Sequence, residues 1–296
     1  MATLITNNRQ LIDAPNVGLQ RRYGLFDAVS ARLPMDSRLI GSGLQFLVDH
    51  CGPAQLYDQT CVVSPTKTYM EGSDLREADP FWVVARKRCG TVGRTADDML
   101  RAVRSQLDSQ DQTWVESVLW DGAGLASIPA DQTLTGAGAT VVTPAAPGAG
   151  AAISALENAF YGAAGYRGVI HVNMQAEGAL QYAGMLQPSA GVLRTPIGTA
   201  VSLGAGYDIT GPVDPGDPET PVPPAAGFVW AFITSPVTEW SADIPQPDPR
   251  QTLDRTLNQW DVVAERVHAV AWECPVMFAV QVPLAAPAVA TTPAVP

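Results

Sequence analysis

Lysine is nearly absent from this chain: Lys67 and Lys87 stand against sixteen arginines. Together the cations number 18 against 29 acids, for a net charge of -11. A general nucleic-acid binder draws its affinity from neutralised phosphates and needs the opposite balance, so that class is set aside. The bias to arginine, with abundant alanine, reads as a GC-rich coding genome rather than a functional patch. Aromatics are 7% of residues and do not interleave with basic ones, so no stacking platform for single strands is expected. At 46% hydrophobic and 16% charged, the composition is that of a globular chain and not of a disordered one. No apolar run approaches the ~18 residues that a membrane helix needs. The opening MATLITNNRQLIDAP has no basic segment followed by an apolar block, so no secretory signal is expected and the chain is expected to be made in the cytoplasm.

Reactive side chains are scarce too. Cys51, Cys61, Cys89 and Cys274 are scattered without a C-x-x-C pair and read as small buried hydrophobes. Sequence proximity suggests one bridge only, Cys51–Cys61, and a reducing cytoplasm opposes it. His50, His171 and His268 each lack a second ligand at metal-binding spacing, so each reads as a structural or surface histidine. There is no G-x-S-x-G elbow and no G-x-x-x-x-G-K-[ST] loop. Gly204-Ala205-Gly206 follows a strand, but no helix with a third glycine follows it, so no dinucleotide site is expected. Glu265-Arg266 reads as a buried structural ion pair. No catalytic, cofactor-binding or metal-binding residue is assigned. A chain of 296 residues without such a constellation is expected to work through its surfaces.

What is present is one strong stretch, Phe81 to Gly124. It opens with a strand, Phe81 to Arg88, aromatic and β-branched first and cationic last. A short connection leads to Thr95, a good N-cap, with Asp98 three residues on as a capping-box-like partner. Asp97 and Asp98 lie where the helix dipole favours anions. Met99, Leu100, Val103, Leu107, Trp114, Val115, Val118 and Leu119 follow at helical spacing, with a polar gap at Gln110 and Asp111. Ala96 to Leu119 would span roughly 36 Å, and Asp121-Gly122-Ala123-Gly124 ends it. That is a structural spine.

Around this spine the chain reads as α+β, without βαβ alternation or repeats. Residues 1 to 16 read as an irregular arm. Val17 to Leu33 carries a weak amphipathic stripe, either an ordinary helix or an arm that docks on a neighbour, and Leu39 to Val48 is a second apolar segment. Residues 54 to 80 alternate β-prone pieces with turn formers and read as a hairpin that cannot bury a face alone. Past the spine come a strand at Thr140 to Thr143, a helix at Ala152 to Tyr161, a buried strand at Gly168 to Asn173 and a helix at Gln175 to Leu186. Thr195-Pro196-Ile197-Gly198 turns into another strand. Gly211 to Gly227, rich in proline and acids, reads as a loop. Phe228 to Ile233, Asp261 to Trp272 and Val276 to Val282 read as strands, and Leu284 to Pro296 as a disordered tail.

This ordered set resembles the major capsid proteins of tailed bacteriophages, the Hong Kong phage-type capsid fold. The resemblance is carried by VVARKRCGTV, the capped helix, WVESVLWDGAG with its Trp120-Asp121-Gly122-Ala123-Gly124 turn, the TPIG entry, the Ser235-Pro236-Val237 segment and the Ala264-Glu265-Arg266 strand. It covers roughly residues 81 to 283, and encapsulins share the fold. It implies an N-terminal arm (1–53), an extended β-hairpin loop (54–80), a peripheral domain with the spine helix (81–124), an axial domain (125–260), returning peripheral strands (261–283) and a tail (284–296). The implied function is a non-enzymatic virion protein without cofactor or membrane. Its pentamers and hexamers would form an icosahedral head, assembled in the host cytoplasm, around double-stranded DNA that it does not bind specifically. Assembly contacts are expected at Lys67, Tyr69, Glu71, Arg76, Trp114, Glu265 and Arg266. A separate scaffolding protein, a portal and a decoration protein are partners the family suggests. Some fifty residues before the hairpin are too few for a built-in scaffolding domain, and Lys67 and Lys87 lack the context for isopeptide cross-links. The alternatives are an encapsulin-type nanocompartment shell, gripping cargo through Val17 to Leu33, and a soluble enzyme with an unrecognised site.

Overall fold

A computed structural model describes residues 22–36, 39–51, 74–90, 95–214, 216–245 and 253–285. A single helical turn, α1 (Leu25–Ala28), precedes β1 (Ala31–Pro34), β2 (Leu44–Val48), β3 (Asp74–Ala78) and β4 (Phe81–Gly90). Helix α2 (Ala96–Asp121) is followed by β5 (Thr140–Val141), α3 (Ala149–Ala164), β6 (Val169–Asn173) and α4 (Glu177–Tyr182). Then come β7 (Gln187–Ser189), β8 (Val192–Arg194), β9 (Ala200–Gly204), β10 (Val213–Asp214), β11 (Asp217–Pro221) and β12 (Phe228–Thr234). β13 (Val237–Asp243), β14 (Leu253–Asp254), β15 (Gln259–Trp272) and β16 (Met277–Pro283) complete the order, an α+β architecture.

Contacts divide the chain into two units. The described part of the first is 84–90 and 95–110 with 244–245 and 253–265. Here the apolar positions Met99, Val103 and Leu107 of α2 are buried. Thr95 closes the helix start as a reciprocal box: Asp98 N–H donates to Thr95 Oγ1 at 3.2 Å, and Thr95 N–H donates to Asp98 Oδ2 at 3.1 Å. Arg86 and Arg88 of β4 both reach Asp261 of β15, at 2.6 and 3.0 Å. β14 pairs antiparallel with the start of β15, Leu253 opposite Trp260.

The second unit, Arg21–Val83, Asp111–Asp243 and Arg266–Pro296, holds most of the core. Seven strands run in the order β5-β16-β12-β6-β9-β8-β7. β6 and β9 are buried at every position, as strands of a sheet covered on both faces should be, and their polar residues His171, Asn173 and Ser202 are buried with hydrogen-bond partners. Alternation sorts the two faces. Val229, Ala231 and Ile233 of β12, Ile170 and Val172 of β6 and Val201 and Leu203 of β9 pack in one cluster with Ala152, Ile153, Leu156 and Phe160 of α3. The opposite face presents Phe232, whose ring meets Trp120 of α2 edge-on at 5.0 Å, while Tyr207 lies 5.2 Å from Trp120. In this unit a second group of strands forms: β1 pairs parallel with β13, and β13 pairs antiparallel with the last half of β15.

Several expectations are corrected. Within Val17 to Leu33 only Leu25–Ala28 is helical among the described residues. Tyr23 has φ 69 and Val29 is already extended, so the helical spacing is broken, and β1 takes its stability from pairing with β13 instead. Pro34 ends that edge strand, where its missing N–H costs no ladder bond. The expected hairpin over 54–80 lies largely outside the described residues; what is described is β2 paired with β3, Leu44 opposite Ala78 and Val48 opposite Asp74. The helix over Gln175 to Leu186 is shorter: a 3-10 turn, Met174–Ala176, then α4, ended by Gly184 at φ 69. Gly211 to Gly227 contains a short hairpin, β10 with β11, despite its prolines. Trp114 does not lie on the buried face of α2 but is 51% exposed.

The cysteine reading is corrected as well. Cys51 and Cys274 are joined by a disulfide across a sequence separation of 223, with Cα atoms 5.2 Å apart. The turn between β15 and β16 brings Cys274 there, which spacing in the sequence cannot reveal. Cys61 lies outside the described residues, and Cys89 is free and half-buried.

Candidate functional site

The polar gap on α2 turns out to be a buried charge network. Asp111, Glu239 and His268 are each no more than 1% exposed. They meet because β13 and β15 are in register, with Ser241 opposite His268 and Asp243 opposite Arg266, so that alternate residues of both strands face α2. His268 Nδ1 is 2.7 Å from Glu239 Oε1, and His268 Nε2 is 2.7 Å from Asp111 Oδ1. Arg266 donates to Asp111 Oδ2 at 2.7 Å and to Asp243 Oδ1 at 2.6 Å. Arg32 donates to Glu239 Oε2 at 2.9 Å and lies 4.0 Å over the Phe26 ring. The rings of Phe26 and Phe81 both stack with the imidazole, at 6.1 and 5.8 Å.

This geometry fixes the charges. Ionised carboxylates only accept, so an imidazole facing one at each nitrogen must carry both protons. Burial by itself pushes the His268 pKa down, but the hydrogen bonds to Asp111 and Glu239 outweigh it and hold the pKa above its ordinary value. Burial likewise opposes ionisation of Asp111 and Glu239, and their hydrogen bonds to His268 and to Arg266 or Arg32 bring both below the usual carboxylate range. Each buried charge thus has its counter-charge, and no imidazole nitrogen remains to take up a substrate proton.

Two further buried polar clusters are also closed on themselves. Glu116, fully buried, accepts the backbone N–H of Leu25 at 3.1 Å and of Gly206 at 3.0 Å, and Gln112 Nε2 at 2.8 Å. Both segments come this close because each has a glycine, Gly24 or Gly206, at the point of approach. A Cβ on Gly206 would meet the Thr113 carbonyl at 1.9 Å, and one on Gly24 the Gln112 amide at 1.5 Å. The glycines of Gly204-Ala205-Gly206 therefore serve packing. His171 bonds Tyr207 Oη and Thr234 Oγ1, each at 3.0 Å, and complete burial lowers its pKa to about 3, so it is neutral.

Arg266 does not pair with Glu265, its neighbour on the other face of β15, because Asp111 and Asp243 take its guanidinium. Arg76 is half-buried with its guanidinium 5.7 Å over the Trp272 ring, and Glu265 is half-buried. Lys67, Tyr69 and Glu71 lie outside the described residues. The sequence reading missed Asp111, Glu239, Glu116 and Cys274; the acid at the polar gap of an otherwise apolar helix face was the available signal for the first. Among the described residues no group of His, Cys, Asp or Glu could hold a metal ion, and no helix is long and apolar enough to cross a membrane. The groove of about 420 Å³ lined by Pro144, Pro147, Phe228, Gln281 and Pro283 has no converging charged groups.

Neither a protein-family model nor a curated protein sequence matches the chain. Solved structures do. A chain of Microbacterium phage Oxtober96 superposes with TM-score 0.54 at 10% identity, covering 94% of this chain and 95% of that one. The capsid of Ralstonia phage GP4 gives 0.53 at 12% identity, covering 97% and 98%. The capsid of an empty GTA particle gives 0.51 at 12%, covering 96% and 95%. The chain therefore has the tailed-phage major capsid fold over essentially its whole length.

Proposed function

We propose that this chain is a major capsid protein, a structural virion component whose copies close into an icosahedral shell around double-stranded DNA. The observation that carries the reading is the superposition on phage and GTA capsids over more than nine-tenths of both chains. The interior supports it: the His268 network neutralises its own charges, and Glu116 and His171 are each held by backbone amides or neutral side chains of the fold. In this reading α2 is the spine of a peripheral domain, and the seven-stranded sheet with α3 and α4 belongs to the axial domain near the capsomer centre, which moves β16 out of the peripheral strands expected over 261–283, because it pairs with β12 inside that sheet. The β2–β3 pair is the root of the loop that reaches over a neighbour. Lys67, Tyr69, Glu71, Arg76, Trp114, Glu265 and Arg266 remain the proposed assembly contacts, with Trp114 the large exposed apolar residue among them. The net charge of -11 suits a container that encloses DNA without gripping it. A scaffolding protein, portal and decoration protein, and assembly in a host cytoplasm, belong to the same proposal.

Electron microscopy of the expressed protein tests it. Closed shells of uniform diameter are the expected result, and a chain that stays monomeric at high concentration would sink it. Tight, salt-sensitive DNA binding by isolated subunits would contradict the container role.

A further inference from the structure

We infer that Cys51 and Cys274 form a reversible redox staple, open in the newly made chain and closed in the finished protein, that fixes the root of segment 52–73. The inference rests on the capsid reading for its setting: a chain assembled in a reducing host cytoplasm begins with thiols and meets oxidants after release.

The two ends of the bond differ in a way that suits a staple. Cys274 is fully buried and locked: its N–H donates to Ser235 Oγ at 2.7 Å, and its carbonyl accepts from the same hydroxyl at 3.2 Å. Cys51 is half-buried. Besides the bond, the described contacts that hold its neighbourhood are light. His50 Nε2 lies 3.1 Å from Glu273 Oε2, with side chains 53% and 27% exposed, and the imidazole meets the Tyr166 ring edge-on at 5.6 Å. These contacts place residue 51 beside Cys274 before any bond exists, yet they are exposed enough to open. The other end of the segment returns through β3, which pairs with β2. Closing the staple therefore anchors residue 51 covalently to the turn between β15 and β16.

The chemistry is ordinary exchange. A small oxidised disulfide such as oxidised glutathione is attacked by the Cys51 thiolate, the more accessible sulfur, giving a mixed disulfide and one free thiol. Cys274, deprotonated, then attacks the Cys51 sulfur, the protein disulfide forms, and the second small thiolate leaves and takes up the proton. The small disulfide is reduced by two electrons, and the two cysteines are oxidised by two.

The test uses the full chain. Cells are lysed in denaturant with N-ethylmaleimide, so that buried thiols are also alkylated, and the protein is mapped by mass spectrometry; native protein treated with oxidised glutathione is then denatured, alkylated and mapped in the same way. Cys51 and Cys274 are expected to be alkylated at lysis and joined to each other after oxidation. Dithiothreitol should lower the melting temperature of the oxidised chain by roughly 5–15 °C, and Cys51→Ser should melt like the reduced wild type with no further response. A bond already complete at lysis, a Cys51–Cys61 peptide in its place, or a dithiothreitol response that persists in Cys51→Ser would overturn the staple. Microscopy of the same samples separates the two claims. Shells whose thiols never pair remove the staple and keep the capsid reading, whereas a staple that closes in a chain forming no shells does the reverse.

Discussion

His268 faces a carboxylate at each ring nitrogen, and its charge makes the stability of the protein depend on pH in both directions. Asp111 and Glu239 have depressed pKa values, so their contribution is present above the ordinary carboxylate pKa and lost as pH falls through the lowered folded values. His268 has a raised pKa, so its contribution is complete below about 6.5 and lost as pH rises through the folded value. Urea unfolding across pH should therefore show a maximum between about pH 5 and 6.5, and His268→Gln should flatten the decline on the alkaline side. Removing one partner is harsher. Asp111→Ala leaves Arg266 its bond to Asp243 and the buried imidazolium Glu239 alone, with one ring N–H unpaired, and should cost about 3–5 kcal/mol by urea titration. Two glycines give a contrast of sign. Gly206→Ala drives a methyl against the Thr113 backbone, which cannot yield as a side chain would, and should destabilise by about 3 kcal/mol or more. Gly162→Ala, in α3 with nothing within 4 Å of the new methyl, should stabilise by about 0.5–1 kcal/mol. Equal effects at the two sites would mean that the close approach of the Gly206 loop to α2 is not real.

At the scale of elements, what could be read in advance was local, and what could not was pairing. Helix α2 was legible because its cap, dipole acids and apolar spacing all lie within 26 residues. β12 was legible because a strand covered on both faces is a short apolar run, and β6 because β-branched Val169, Ile170 and Val172 dominate it. The β1 stretch misled because Leu19, Tyr23, Phe26, Val29 and Leu33 have near-helical spacing, while its stability comes from a strand some two hundred residues away. The network failed to show for the same reason, since Asp111 and His268 are 157 residues apart and each looks solitary. The cap itself can be tested. In Thr95→Ala the Asp98 amide loses its acceptor and Asp98 loses the hydroxyl that chiefly holds its pKa down to about 2. Hydrogen exchange should speed up in the first turn of α2, and the Asp98 carboxyl should titrate higher. Unchanged exchange there would show that packing of Met99 and Val103 alone fixes the helix start.

For the whole molecule, the elements divide into those that close on themselves and those that do not. The seven-stranded sheet buries both faces within its own unit, and the network neutralises its own charges, so that part needs no partner to fold. The β2–β3 pair is different. Leu47 and Leu75 stand opposite each other on its outer face, 63% and 58% exposed, next to the bonded pair Gln45 and Glu77. A two-stranded element that leaves its apolar cross-strand pair in water gains little from standing alone. Folding and assembly should therefore come apart under the right deletion. Replacing residues 54–71 with a short Gly/Ser link spares both strands of the pair and the sheet beyond it. Circular dichroism and thermal unfolding of that variant should match the intact chain to within about 1 kcal/mol, while electron microscopy should show free subunits or small capsomers in place of closed shells. Normal shells from the shortened chain would mean that the segment plays no part in joining copies, and a chain that no longer folds would mean that 54–71 belongs to the core of its own subunit.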